Sequence, residues 1–145
     1  MAIESDIVTY LLAQSPLTAV IGTRLHAMKR PQKATATSTA YPSITFQRVG
    51  GTHEHHLTAA QGYAELRMQF DIWSLSYLTC ASVAELLRAE LSGYGPGTMG
   101  SSTVHSVKLE SQIDFYEAPE VADEVGIYRR MQEYEFGFSE TVPTF

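Results

Sequence analysis

The sequence predicts a single α+β domain spanning residues 1–145, in which helices pack on one face of an antiparallel sheet of four to five strands. Apolar and polar residues alternate from Tyr63 to Trp73, as a strand with one buried face requires. From Ser76 the apolar period becomes helical, and Gly93 follows as a stop. Further strand patterns flank this pair. The order helix, strand, strand, strand, helix, strand, strand is typical of helices on one side of an antiparallel sheet.

The N-terminal residues predict two short helices. In the first helix, Glu4, Ser5 and Asp6 occupy the first turn, where acidic and capping groups interact favourably with the helix dipole. One side of this helix is apolar and consists of Ile3, Ile7, Tyr10 and Leu11. A second helix begins near Pro16 and ends at Gly22. Residues 24–28 then predict a short strand, and residues 29–40 a long exposed loop without any period.

The remaining chain predicts three more strands separated by long loops. The first of them covers residues 43–49, with Ile44 and Phe46 on one face and Gly50 and Gly51 closing it, so residues 50–62 are expected to form a loop. Residues 93–102 predict a glycine-rich loop after the helix that begins at Ser76. Residues 104–113 predict a strand with Val107, Leu109 and Ile113 in phase, and residues 139–145 a loose tail.

The last predicted strand, residues 127–138, has an imperfect pattern. Tyr134, Phe136 and Phe138 are in phase and predict an apolar face. Arg130 and Gln132 are also even-numbered, so the same alternation would place these polar residues on that apolar face. Two explanations stay open: this end of the strand leaves the core, or a bulge changes its facing.

Composition excludes several classes of protein. With 145 residues and 44% hydrophobic residues, the chain can bury a core without metal or disulfide. The formal charge of -6 argues against general binding of nucleic acid. The lone cysteine, Cys80, lies on the apolar helix stripe and is expected to be a buried small hydrophobe. Neither a membrane-spanning run nor a basic leader is present, so we expect no membrane partner.

The sequence contains one weak candidate for a metal or catalytic site. His53, His55 and His56 beside Glu54 are competent metal ligands, which would suit a small metal-dependent hydrolase, but their spacing is poor and a solvated loop explains them as well. The glycines at 93–97 follow a helix instead of opening one, which favours a helix stop over a phosphate loop. The sequence therefore predicts no enzyme, catalytic residue, cofactor or metal site.

Several segments, in this order, resemble one protein family. They are residues 17–22, 24–25, 42–51, 68–74, 114–117 and 127–129. The chain resembles the tail-completion, or tail-terminator, family of long-tailed bacteriophages and of related prophage and gene-transfer particles.

The resemblance implies a structural virion protein, made in the host cytoplasm, that forms a ring, commonly hexameric, on the head-proximal end of the tail tube. Such a ring stops tube growth and joins the head connector, so its partners are copies of itself, the tail tube protein and a head-completion or connector protein. DNA passes through the lumen without specific binding. The alternative in the same class is a head-completion or connector protein of the neck.

The polar face of the strand at 63–73 is the candidate interface. It consists of Glu65, Arg67, Gln69, Asp71 and Trp73. These residues form either the surface of a lone domain or a subunit interface and lumen wall, and the resemblance favours the ring. A large aromatic such as Trp73 on a polar face is either covered by another element or buried between subunits.

Overall fold

The computed structural model describes residues 3–28, 41–55, 60–118 and 126–139. The predicted loop at 29–40 and the tail residues 140–145 lie outside the described residues. The helices are α1 (Ile3–Leu12), α2 (Ser15–Ile21) and α3 (Tyr77–Leu91). The strands are β1 (Leu25–Ala27), β2 (Ser43–His55), β3 (Ala60–Ser74), β4 (Gly97–Met99), β5 (Ser102–Glu117) and β6 (Ile127–Ser139).

The strands form one sheet in the order β1-β2-β3-β6-β5-β4. The α+β class is confirmed, but the described sheet has six strands instead of the predicted four to five. The sheet is also not wholly antiparallel, because β1 pairs with β2 in parallel, with Leu25 opposite Ile44. The other neighbouring strands are antiparallel.

Three predicted loop boundaries were wrong. Gly50 and Gly51 do not end β2: the strand bulges between Arg48 and Gly50 and continues to His55, while β3 already begins at Ala60. Gly51 has a φ of +154°, and a Cβ there would collide with the backbone oxygen of Glu65, so this glycine serves a close approach of strands. The loop at 93–102 contains β4, and the predicted loose tail began one residue too early, because Ser139 still belongs to β6.

All three helices contribute to a core on one face of the sheet. The pattern residues Cys80, Ala84, Leu87 and Leu91 of α3 are buried, as are Ile7, Leu11, Leu17 and Ile21 of α1 and α2. They meet the even-numbered residues of β3 and β6, among them Phe70 and Tyr134, whose ring centroids lie 5.7 Å apart. Within the described ranges no helix has the length and apolar character needed to cross a bilayer.

The helix-facing side of β6 shows why its pattern is imperfect. The pairing of β3 with β6 runs without a register shift, so no bulge changes the facing of β6. Gln132 is fully buried in the core, where its Nε2 donates to the Ala84 carbonyl and to Gln112 Oε1, and its Oε1 accepts from the Tyr134 hydroxyl. Arg130 lies nearer the end of the sheet, where it pairs with Asp114.

A second bulge, in β5 between Leu109 and Ser111, turns the end of that strand over. Val107 is buried on the helix side, but Ile113 has 48% of its surface exposed and shares the other side with Met131. The predicted common phase of Val107, Leu109 and Ile113 was therefore wrong, because one extra residue reverses the facing of every later side chain.

Candidate interface on the helix-free face of the sheet

The five candidate residues of β3 lie together on the sheet face opposite the helices, which we call the open face. Their neighbours across the strands are Thr45 and Gln47 of β2, Arg129, Met131, Glu133 and Glu135 of β6, and Lys108, Ser111, Ile113 and Phe115 of β5. Arg67 is exposed, Glu65, Gln69 and Trp73 are half-buried, and Asp71 is buried. This grouping follows from the period of two along β3. Their role as an interface remains a prediction.

Charges on the open face largely compensate one another. The Nε of Arg67 lies 3.0 Å from Glu133 Oε1, and Nη1 of Arg129 lies 3.6 Å from Asp71 Oδ1. Glu65, Glu135 and Lys108 add two negative charges and one positive charge to this set. A surface with this balance has no extended positive field, so it offers phosphate groups little attraction.

One end of the open face is aromatic and cationic. The Trp73 Nε1–H donates to Thr45 Oγ1 at 3.0 Å. The Arg129 guanidinium carbon lies 5.3 Å from the centre of the Trp73 ring and 4.2 Å from that of Phe115, which is within the range of cation–π attraction. Ile113 and Phe115 are exposed here. Trp73 is therefore partly covered by its sheet neighbours and keeps some exposed surface.

Sequence reasoning missed the contribution of Arg129, Ile113 and Phe115 to this surface. The bulge in β5 that turns Ile113 and Phe115 to the open face leaves no clear signal in the sequence. In contrast, the alternation along β6 places Arg129 on the face opposite to that of Tyr134 and Phe136. The presence of Arg129 on the open face was therefore predictable from the sequence.

Asp71 is the carboxylate most affected by its surroundings on this face. Burial raises the pKa of Asp71, while hydrogen bonds from Gln69 Nε2, at 2.9 and 3.2 Å, and the charge of Arg129 oppose that rise. An internal contact network thus holds this side chain in place. Asp71 is a fixed part of the face, unlike the exposed Arg67.

A polar and aromatic cluster flanks the same end of the sheet on its helix side. Arg130 Nε lies 2.6 Å from Asp114 Oδ1, and the hydroxyl of Tyr77 donates to Asp114 Oδ2 at 2.9 Å. The hydrogen bond from Arg130 lowers the pKa of Asp114. The Tyr128 ring lies 6.0 Å from Tyr77 and 4.8 Å from Tyr116, and Tyr77 and Tyr116 are exposed.

The described residues do not assemble a reactive site. No group of three or more His, Cys, Asp or Glu residues among them could hold a metal ion. His53 lies in β2, whereas His56 and the side chains of Glu54 and His55 lie outside what the structure describes. Burial raises the pKa of Cys80 to about 11, and its Sγ lies 3.3 Å from the Tyr128 carbonyl oxygen, so this thiol serves packing.

The glycine-rich segment after α3 has a structural explanation. A Cβ at Gly95 would collide with the backbone carbonyl of His105, so this glycine permits two backbones to approach. Gly97 begins β4, which pairs with β5. The segment thus closes the edge of the sheet, in agreement with its interpretation as a helix stop and turn.

The fold and this face define a class: a small α+β protein whose sheet has one helix-covered face and one open face of compensated charge. The family model described as "Tail completion protein gp17" matches residues 5–136. The chain belongs to this family, and it is thereby a structural protein of a phage-type tail, part of the virion.

A solved structure supports the fold. A chain of the structure titled "Virion of native gene transfer agent (GTA) particle" is similar to this protein with a TM-score of 0.70 and 14% sequence identity, over 95% of each chain. At this identity the likeness concerns the fold. No curated protein sequence gave a match.

Proposed function

We propose that the protein forms a hexameric ring on the head-proximal end of the tail tube, where it terminates tube polymerisation and presents the surface that joins the head. Family membership supports the position in a tail. The observation that carries the ring is the open face: a long sheet surface, left uncovered by the three helices and bearing compensated charges, suits the wall of a channel that DNA traverses.

Termination requires two unlike surfaces on one ring. One side must complement the last ring of tube subunits, and the other must refuse a further tube subunit while accepting a connector. The two ends of the described sheet carry different groups, which supports this role. The end at Tyr77 and Tyr116 exposes aromatic rings, while at the other end β2 reaches His55 and β3 begins at Ala60. No catalytic group is needed for this role.

Assembly in vitro tests the proposal. The purified protein is expected to give rings by native mass spectrometry and to cap polymerising tail tube protein, which shortens the mean tube length. Labelled protein should remain on headless tails. A label that instead stays with tailless heads would assign the chain to the neck as a head-completion or connector protein, and a monomer that leaves tubes uncapped would exclude both roles.

The lumen assignment has a test of its own. Replacement of Glu65 and Glu135 by lysine makes the open face basic, and rings of this variant are expected to retain DNA that wild-type rings release at physiological salt. The matched control carries the same change of net charge on α3, as Glu85→Lys with Glu90→Lys. Equal retention of DNA by both variants would place the open face outside the lumen.

A further inference from the structure

The sheet has two long edges that its own short strands leave uncovered. β1 and β4 have three residues each, and they cover only the first part of β2 and of β5. Beyond Phe46 on β2, and beyond Val107 on β5, no described strand occupies the outer edge. These two edges, residues 47–55 and 108–117, lie on opposite sides of the sheet.

The backbone of the β5 edge is oriented to bond with a further strand. The N–H of Val107 donates to the Tyr94 carbonyl at 3.1 Å, so the polar groups of Val107 face away from β6. Facing alternates along an antiparallel strand, and the bulge after Leu109 shifts the alternation by one residue. The N–H and C=O groups of Gln112, Asp114 and Tyr116 therefore point outward.

The side chains of this edge are those of an interface. Ile113 and Phe115 are 48% and 41% exposed on the open face, and Tyr116 is 55% exposed on the opposite face. Edge strands that must stay unpaired usually carry lysine or proline, or are short. The stretch from Ile113 to Tyr116 has apolar or aromatic side chains on both faces and a single charge, which Arg130 neutralises.

We propose that the β5 edge of one subunit pairs with the β2 edge of a second copy of this chain, so that the open face continues from one subunit to the next. Strand directions favour this occupant. β2 and β5 run in opposite directions within the sheet, so two copies in the same orientation meet through an antiparallel pair. The contact joins two different patches of the chain, which makes it heterologous and able to close a ring.

The positions of the two edges agree with ring closure. If Thr52 lies beside Ser111 or Ile113 of the neighbour, the open face continues from one subunit to the next. Within one subunit, the row of Thr52 crosses β3 at Glu65, four residues from the row of Ser111 and six from that of Ile113. Four or six residues correspond to a shift of about 13 or 20 Å along the strand direction from one subunit to the next. Each subunit contributes the four strands β2, β3, β6 and β5, which span about 19 Å across the sheet. Strands would then tilt by about 35° or 45° from the ring axis, as in closed barrels, whose strands tilt by roughly 35–45°.

Disulfide cross-linking tests the contact, which rests on the proposed ring. The double variants Thr52→Cys with Ser111→Cys and Thr52→Cys with Ile113→Cys are oxidised after assembly. At least one is expected to give a ladder of covalent oligomers up to the whole ring, and a mixture of the corresponding single variants only dimers. The matched control is Thr52→Cys with Val20→Cys. The buried Cys80 can remain, because burial keeps its thiol protonated.

Amide hydrogen exchange tests the edge pairing without introduced cysteines. The variant Ile113→Lys is expected to stay monomeric. In the ring, the outward amides of Gln112, Asp114 and Tyr116 are expected to exchange at least tenfold more slowly than in this variant. The inward amides of Ser111 and Phe115 already bond to β6 and should change little. Val20→Lys, at a residue 36% exposed on α2, controls for the added charge and should leave ring formation intact.

The outcomes separate the inference from the function on which it rests. Rings that cap tubes yet give no ladder and no protection of the β5 amides would overturn the edge pairing and leave the proposed function standing. Dimers from Ile113→Cys alone, with no ladder, would show a two-fold contact and would also overturn it. Failure of the wild-type protein to form rings or cap tubes would reject the function together with the pairing.

Discussion

The two faces of β3 differ in what they do although they alternate residue by residue along one strand. Ala64, Leu66, Met68, Phe70 and Ile72 are each at most 1% exposed against the helices. The intervening residues form the open face, where a buried carboxylate, a half-buried indole and an exposed guanidinium lie side by side. The helix-covered face thus holds the fold together, and the open face is the one that we propose to serve assembly. Substitutions on the two faces should therefore change different measurements.

The largest expected effect on stability is that of Phe70→Ala on the helix-covered face. The ring packs against Tyr134 and Phe46, so its removal should lower the free energy of unfolding by about 3–5 kcal/mol. Urea denaturation followed by circular dichroism measures this. Glu65→Ala, on the open face of the same strand, is the control and should change stability by less than about 0.5 kcal/mol. Equal losses would remove the distinction between the faces.

Gln132 tests whether the polar group within the core belongs to the fold. Gln132→Leu leaves the buried Tyr134 hydroxyl without its acceptor, which should cost about 1–3 kcal/mol. Adding Tyr134→Phe to Gln132→Leu removes the unsatisfied hydroxyl and should recover part of the loss. Thermal or chemical denaturation of the four proteins of this cycle gives the coupling energy. A coupling near zero would contradict the hydrogen-bonded arrangement.

The contribution of Asp6 to stability is expected to depend on pH. This buried carboxylate of α1 accepts hydrogen bonds from Ser101 and Ser102, and these bonds lower its pKa. Its contribution to stability is therefore present above the unfolded-state pKa of about 4 and is lost as pH falls through the folded-state pKa. The difference in stability between wild type and Asp6→Asn should be widest near pH 7 and should narrow below about pH 4. A difference independent of pH would exclude this role.

The smallest expected effect on stability is that of Arg67→Ala on the open face. Arg67 and Glu133 form an ion pair with the arginine half exposed, and such pairs contribute about 0–1 kcal/mol. The free energy of unfolding should hardly change, whereas the yield of rings or their retention of DNA should change. A loss of several kcal/mol in denaturation experiments would show that the open face also stabilises the fold.

Much of the fold follows from periodicity. The helices α1 and α3 and the strand β3 were predicted correctly, because each has ten or more residues in which apolar positions recur. The seven-residue helix α2 was predicted from Pro16 at its start and Gly22 at its end. The glycines are the weakest guide to the strand boundaries. Gly51 lies inside a strand because a neighbouring backbone needs the space, and the same residue type in sequence also marks a turn. The parallel pairing of β1 could not be read from three residues.

The candidate site was only half predictable. Strict alternation along β3 places Glu65, Arg67, Gln69, Asp71 and Trp73 on one face, and the structure has them so. Phe115 and Ile113 depend on a bulge, which shifts facing by one residue and leaves no clear pattern. The burial of Asp6 was missed because its partners Ser101 and Ser102 lie far away in the sequence, beyond the reach of any local pattern.

The central pairing of β3 with β6 has a consequence for biosynthesis. Among the described strands, β1 to β3 form an early half of the sheet and β4 to β6 a late half, and the pairing of β3 with β6 joins the two halves. Since β6 follows β3 by about fifty residues in the chain, the inner edge of β3 stays unpaired until β6 has been synthesised. We therefore expect chains that stop before β6 to expose the unpaired inner edge of β3, together with its apolar face, and to be removed by cellular quality control.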